Sequence, residues 1–136
     1  MTTSALRALW LVLGGLFWLA ACSDAETPPA AVASGVETGS ICPASSTLTY
    51  DNWGLDFFGR YCLRCHSVNK GDGERSGAPT GYNWDDIDSV RAHADDIDLM
   101  AAASEHVVNH EMPPSDPAPP TSERRKLGQW LACGAP

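Results

Sequence analysis

Hydrophobic and polar positions divide the chain into stretches of different period. Ala8 to Ala21, ALWLVLGGLFWLAA, is an apolar run of 14 residues. A membrane-spanning helix needs about 20 apolar residues. The run is therefore short for a retained anchor, and with Arg7 before it and small residues at its end it has the proportions of an export leader. Residues 23–46 show neither helical nor strand period and are rich in Pro, Ala, Ser, Thr and Gly, which predicts a solvated tether. From Asn52 to Cys65 the side chains of Leu55, Phe58, Tyr61 and Cys62 recur at helical spacing, with Asp51 or Asn52 as N-cap. A second helix is predicted over Asp95–Glu111, with Ile97, Ala101, Ser104 and Val108 on one stripe and His106 and His110 facing outward. The last helix opens at Thr121 or Ser122, behind Pro119-Pro120, and turns Leu127, Trp130 and Leu131 inward.

A length of 136 residues supports one small domain with appendages and excludes barrels and doubly wound sheets. Nine Lys and Arg against 17 Asp and Glu give a net charge of −8. Phosphate binding needs a basic patch, so nucleic acid is not a partner. The triplet Arg124-Arg125-Lys126 sits beside Glu123 and does not alter that. A partner with a basic face fits better. Five cysteines in so small a chain point to export, a metal or a cofactor.

Leu19-Ala20-Ala21-Cys22 resembles the lipobox of bacterial lipoproteins. The resemblance implies that residues 1–21 are a signal peptide, that Cys22 is lipidated, and that residues 22–46 form a lipid-anchored tether. Loss of Arg7 with the leader takes the charge from −8 to −9. Ser23 after the lipidated residue points to the outer membrane, with the domain facing the periplasm. Multiple acyl chains give durable anchoring.

Cys62-Leu63-Arg64-Cys65-His66 is a CxxCH sequence. On a helical turn, residues three and four apart share a face, so two thiols at this spacing can meet the two vinyl groups along one haem edge. His66 then supplies the proximal ligand to iron. Two other readings compete. The three side chains could serve zinc with a fourth ligand such as His93, or the cysteines could be a redox-active disulfide. No second CxxC or paired histidine motif completes a zinc pattern, and no thioredoxin-like βαβ pattern surrounds the pair. Asp85-Asp86 and Asp95-Asp96-Asp98 read as solvated helix ends and faces, with a calcium site as the minor alternative.

An aromatic helix running into CxxCH, Gly77-Ala78-Pro79 after it, Met112-Pro113-Pro114, and a closing helix with Trp130 occur here in that order. Together they resemble a class I, single-haem cytochrome c domain over residues 47–136. The resemblance implies an all-α fold around one covalent haem c, with the first helix crossing the last through Gly54, Leu55 and Phe58. It gives the Pro79 carbonyl to the His66 Nδ1–H, and leaves Arg75 as either a haem-propionate partner or a surface residue. Met112 is the expected distal ligand, since the prolines behind it stiffen the segment that would hold the thioether. His110 or an open position are the alternatives, and Met100 is read as core filling. In the same fold Cys42 and Cys133 lie at neighbouring helix ends and would form a disulfide. His/Met ligation favours electron transfer over substrate activation, so the expected function is carriage of single electrons between extracytoplasmic redox proteins with basic docking surfaces, not enzymatic turnover. A peroxidase module or a gas or redox sensor with a labile distal site is the rival.

Overall fold

Thr49 starts the first helix through a reciprocal pair of bonds. Its Oγ1 accepts from the Asn52 N–H at 3.2 Å, and Asn52 Oδ1 accepts from the Thr49 N–H at 2.8 Å. The cap is thus Thr49, and neither Asp51 nor Asn52 takes that role. Tyr50–Gly54 forms a π-helical turn that runs directly into α1, Leu55–Tyr61. The wide turn rotates the inward face by about one residue relative to a plain α-helix. Phe57 and Phe58 are therefore buried, while Leu55, expected inside and against the last helix, is 47% exposed. The structure is a computed structural model that describes residues 35–136. The signal peptide expected over 1–21, the lipidation expected at Cys22 and the first part of the tether lie outside the described residues.

The chain leaves α1 through a turn over Cys62–Cys65, crosses a loop with a short 3₁₀ turn at Asp72–Glu74, and enters α2, Ile87–Ala92. Asp86 caps α2 by accepting from the Asp88 N–H at 3.0 Å. His93 separates α2 from α3, Ala94–Ala101. The closing helix α4 is Thr121–Ala132, entered from Pro120 as the sequence predicts. Among the described residues the only strand-like pairing is one bridge between Ala103 and Val108, so the all-α expectation holds.

The predicted helix over Asp95–Glu111 is half as long as expected. Ala102 is extended, its N–H closes the last helical bond to the Asp98 carbonyl at 3.3 Å, and side chains bond the carbonyls at this end. Asn109 Nδ2 donates to the Asp98 carbonyl at 2.8 Å and Arg124 Nη1 to the Ala101 carbonyl at 2.8 Å. Ile97 and Ala101 stay buried, whereas Val108 from the same predicted stripe is 36% exposed.

Residues 35–46 are likewise not free tether. Thr38 is buried and gives its N–H and Oγ1–H to the Asp98 carboxylate at 2.8 and 2.6 Å. The Asn109 side chain brackets Val36, accepting from its N–H at 3.2 Å and donating to its carbonyl at 2.7 Å. The Cys42–Cys133 disulfide, with Cα atoms 4.7 Å apart, ties this segment to the end of α4.

The core gathers around Trp130. Its ring centroid lies 5.9 Å from that of Phe58 and 5.8 Å from that of Trp53. A Cβ at Gly54 would sit 3.3 Å from the Trp130 ring and 3.1 Å from Tyr50, so the first and last helices meet where one side chain is missing. Val90, Ile97, Leu127 and Leu131 complete the apolar centre.

Candidate functional site

A cavity of about 290 Å³ opens beside this core. Cys62, Cys65 and His66 reach it from the turn after α1, Met100 and Ala101 from α3, and Met112, Pro113 and Pro114 from the segment before α4. Phe58, Trp84, Ile97 and Leu127 extend the core into its wall. The sequence separates CxxCH from Met112 by dozens of residues, and the fold brings them to one apolar space. No family model, curated protein or solved structure used for comparison matches the chain.

His66 is held on several sides. Its imidazole stacks on Trp84 with centroids 5.0 Å apart and planes 18° from parallel. Its Nδ1 lies 3.1 Å from the Tyr82 carbonyl, which fixes this nitrogen as the donor and leaves Nε2 with a free lone pair. Burial pushes the His66 pKa below its ordinary value, the Tyr82 bond works against that shift, and the Arg75 charge adds to it. A neutral ring with one committed nitrogen is the form that binds metal. The platform is itself anchored. The Tyr50 hydroxyl donates to the Trp84 carbonyl at 2.8 Å, the Trp84 N–H to the His66 carbonyl at 2.9 Å, and the Tyr82 hydroxyl to Asp96 at 2.8 Å.

Two expectations are corrected here. The acceptor for His66 Nδ1 is Tyr82, not Pro79, because the chain turns at Gly81 (φ 97°) and presents the later carbonyl. Pro79 still lines the cavity, but its carbonyl accepts from Arg75 Nη2 at 2.9 Å. Arg75 is not a surface residue; it lines the cavity. It is 3% exposed and donates from Nε to Ala78, from Nη1 to Ser67 and Asn83, and from Nη2 to Pro79 and Tyr82. All its nitrogens are committed to the loop that carries Tyr82, so its role is to brace His66 from behind.

Met112 is half-buried and lines the cavity as expected. Its N–H donates to the Met100 carbonyl at 2.8 Å, and Met100, read from the sequence as core filling, lines the cavity too. Of the four histidines only His66 does so. His106 and His110 are exposed, and His93 stacks on Tyr82 at 4.0 Å.

The cysteines of the motif are free thiols, and burial pushes the Cys62 thiol up to about 12. Such a thiol is protonated at neutral pH and is a poor attacking nucleophile for disulfide exchange. Among the described residues no three His, Cys, Asp or Glu side chains gather as a metal site would need. The acidic residues serve as internal acceptors. Asp85 takes the Ser67 hydroxyl at 2.6 Å, Asp96 takes Tyr82 and Asp98 takes Thr38.

Sequence patterning misses Arg124. It is 1% exposed and donates from Nε to the Pro119 carbonyl at 3.1 Å. Its Nη1 reaches the carbonyls of Ala101, Asn109 and Met112 at 2.7 to 2.9 Å. Burial lowers its pKa, and the Cys62 thiol works the other way. Tyr82 and Trp84 are also missed. Their only local signal is the aromatic pair in Gly81-Tyr82-Asn83-Trp84.

Proposed function

We propose that this chain is a lipid-anchored, single-haem c-type cytochrome that carries electrons one at a time between extracytoplasmic redox proteins. The observation behind this reading is that Cys62, Cys65, His66 and Met112 open on the same apolar cavity. Cys62 and Cys65 would hold the haem covalently through thioethers, and His66 and Met112 would supply side chains to its iron. When bound, the haem supplies reversible one-electron iron chemistry, and a thioether ligand favours the reduced state.

The protein's own part is orientation and exclusion of water. Tyr82 fixes Nδ1 as the donor, Trp84 and Arg75 hold the ring and its loop in place, and burial keeps the imidazole neutral. Phe58, Ile97 and Leu127 keep the cavity wall apolar. Two side chains given to the iron would leave it no open position for a substrate, which favours electron transfer over the sensor or peroxidase alternative. The acidic balance, −8 overall, would steer the domain to basic docking surfaces. The lipobox-like Cys22 supports anchoring at the periplasmic face of the envelope, with Ser23 favouring the outer membrane.

The test is an absorption spectrum of protein exported with a c-haem maturation system, oxidised and then reduced. Expected are sharp c-type bands that survive acid–acetone extraction and a low-spin oxidised form. High-spin haem would move the protein to the sensor or peroxidase class. No haem, where a control cytochrome matures, would falsify the proposal.

A further inference from the structure

Arg124 is a fully buried cation whose partners are all backbone carbonyls. Among the described residues no carboxylate pairs with it. An arginine taken out of water without a counter-charge is costly, and a chain that needed only packing there would do as well with an apolar residue. Its partners show what the charge holds together. Pro119 precedes α4, Ala101 ends α3, Asn109 lies just before the segment that lines the cavity, and Met112 opens that segment. Arg124 thus joins the two helices that flank the cavity to the main chain of the expected thioether ligand.

We propose that Arg124 is a positioning residue with a second, electrostatic role: it fixes the Met112 backbone at the cavity and raises the reduction potential of the site. The inference rests on the haem reading above. A positioned carbonyl removes most of the freedom by which a loop-borne methionine could swing off a metal. A permanent positive charge in a low-dielectric interior disfavours whichever redox state of its neighbour is more positive, and that is the oxidised one. The two roles separate by substitution. Lysine keeps the charge, but its compact ammonium cannot reproduce the planar fork that spans carbonyls from several segments. Glutamine loses the charge.

The experiment uses the matured, haem-loaded full chain. Wild type, Arg124→Lys and Arg124→Gln are compared by redox titration and by the pH at which the weak far-red band of thioether-ligated ferric haem disappears. Expected are a lower potential in Arg124→Gln, a potential in Arg124→Lys between that of Arg124→Gln and wild type, and loss of the band at lower pH in both. An Arg124→Gln protein with wild-type potential and wild-type band overturns the proposal, as does a lysine variant no closer to wild type in potential than the glutamine one. If neither variant folds, the wild type decides by nitrogen NMR. Resolved, slowly exchanging Arg124 guanidinium protons that shift between redox states support the proposal, and averaged or unshifted signals overturn it. Haem with an unmoved potential sinks this inference alone, whereas absence of haem sinks it together with the functional reading.

Discussion

The Met112 N–H donates to the Met100 carbonyl at 2.8 Å, so two methionines twelve residues apart in sequence line one cavity. Met100 projects from α3, whose backbone is regular, whereas Met112 stands on an irregular segment stiffened by Pro113 and Pro114 and pinned through its carbonyl by Arg124. In the functional reading proposed above, Met112 is the ligand and Met100 part of the cavity wall. In the haem-loaded protein, Met112→Ala should abolish the far-red thioether band and lower the potential, and Met100→Ala should retain the band. Loss of the band in Met100→Ala alone would reverse the assignment.

The sequence exposes what depends on local spacing. CxxCH, the stiff Met-Pro-Pro segment and α4 with its inward Leu127, Trp130 and Leu131 are all legible from it, whereas the pairing of Cys42 with Cys133 comes from the resemblance and is present in the structure. Features decided by distant carbonyls are not. Arg124 stands in a run of three basic residues and reads as solvated, yet chain ends from three other places converge on it. Asn109 reads as one more polar residue on a helix, but its amide joins the Asp98 carbonyl at the end of α3 to both backbone groups of Val36. The Tyr82 carbonyl carries no residue-specific signal at all, because any residue at the right turn of backbone offers the same atom.

In the haem-free domain, acid should destabilise the fold through His66. Its folded pKa is lowered, chiefly by burial, so the unfolded chain takes up a proton near the ordinary histidine value of about 6.5 that the folded protein refuses. The contribution is therefore fully present above that value and is lost as pH falls towards the lowered one. Denaturation midpoints measured between neutral and mildly acidic pH should fall, with a slope of at most about 1.4 kcal/mol per pH unit from this group. The slope should flatten in His66→Gln. A flat wild-type profile would show that the ring is not buried as described.

Removing the Cys42–Cys133 bridge should weaken the whole domain as well as its edge. The bridge spans 91 residues, a loop long enough that constraint of the unfolded chain is worth about 4.5 kcal/mol in the entropic model. It also holds the segment whose Thr38 bonds to Asp98. The double variant Cys42→Ser, Cys133→Ser should lose about 2–5 kcal/mol in denaturant titrations. The same loss should appear in wild type under reductant, and a change below about 1 kcal/mol would mean that the unfolded chain is already compact.

Gly128 offers a test in which packing and helix propensity predict opposite signs. In the middle of an exposed helix, Gly→Ala would stabilise by about 1 kcal/mol. Here a Cβ would fall 2.6 Å from the Ala103 carbonyl oxygen, a backbone atom held in place because the Ala103 N–H donates to the Arg124 carbonyl at 2.9 Å. The Ser40 hydroxyl crowds the same point and donates to the Ala103 carbonyl at 3.3 Å. The Ser40 hydroxyl can rotate away, but the Ala103 oxygen belongs to the backbone, so α4 must move away from the segment after α3. Gly128→Ala should therefore destabilise by about 1–3 kcal/mol. Because α4 carries Arg124, the same shift should loosen the Met112 segment and lower the pH at which the far-red band is lost. A stabilised Gly128→Ala protein would show that residues 38–40 and Ala103 do not lie against α4 in solution.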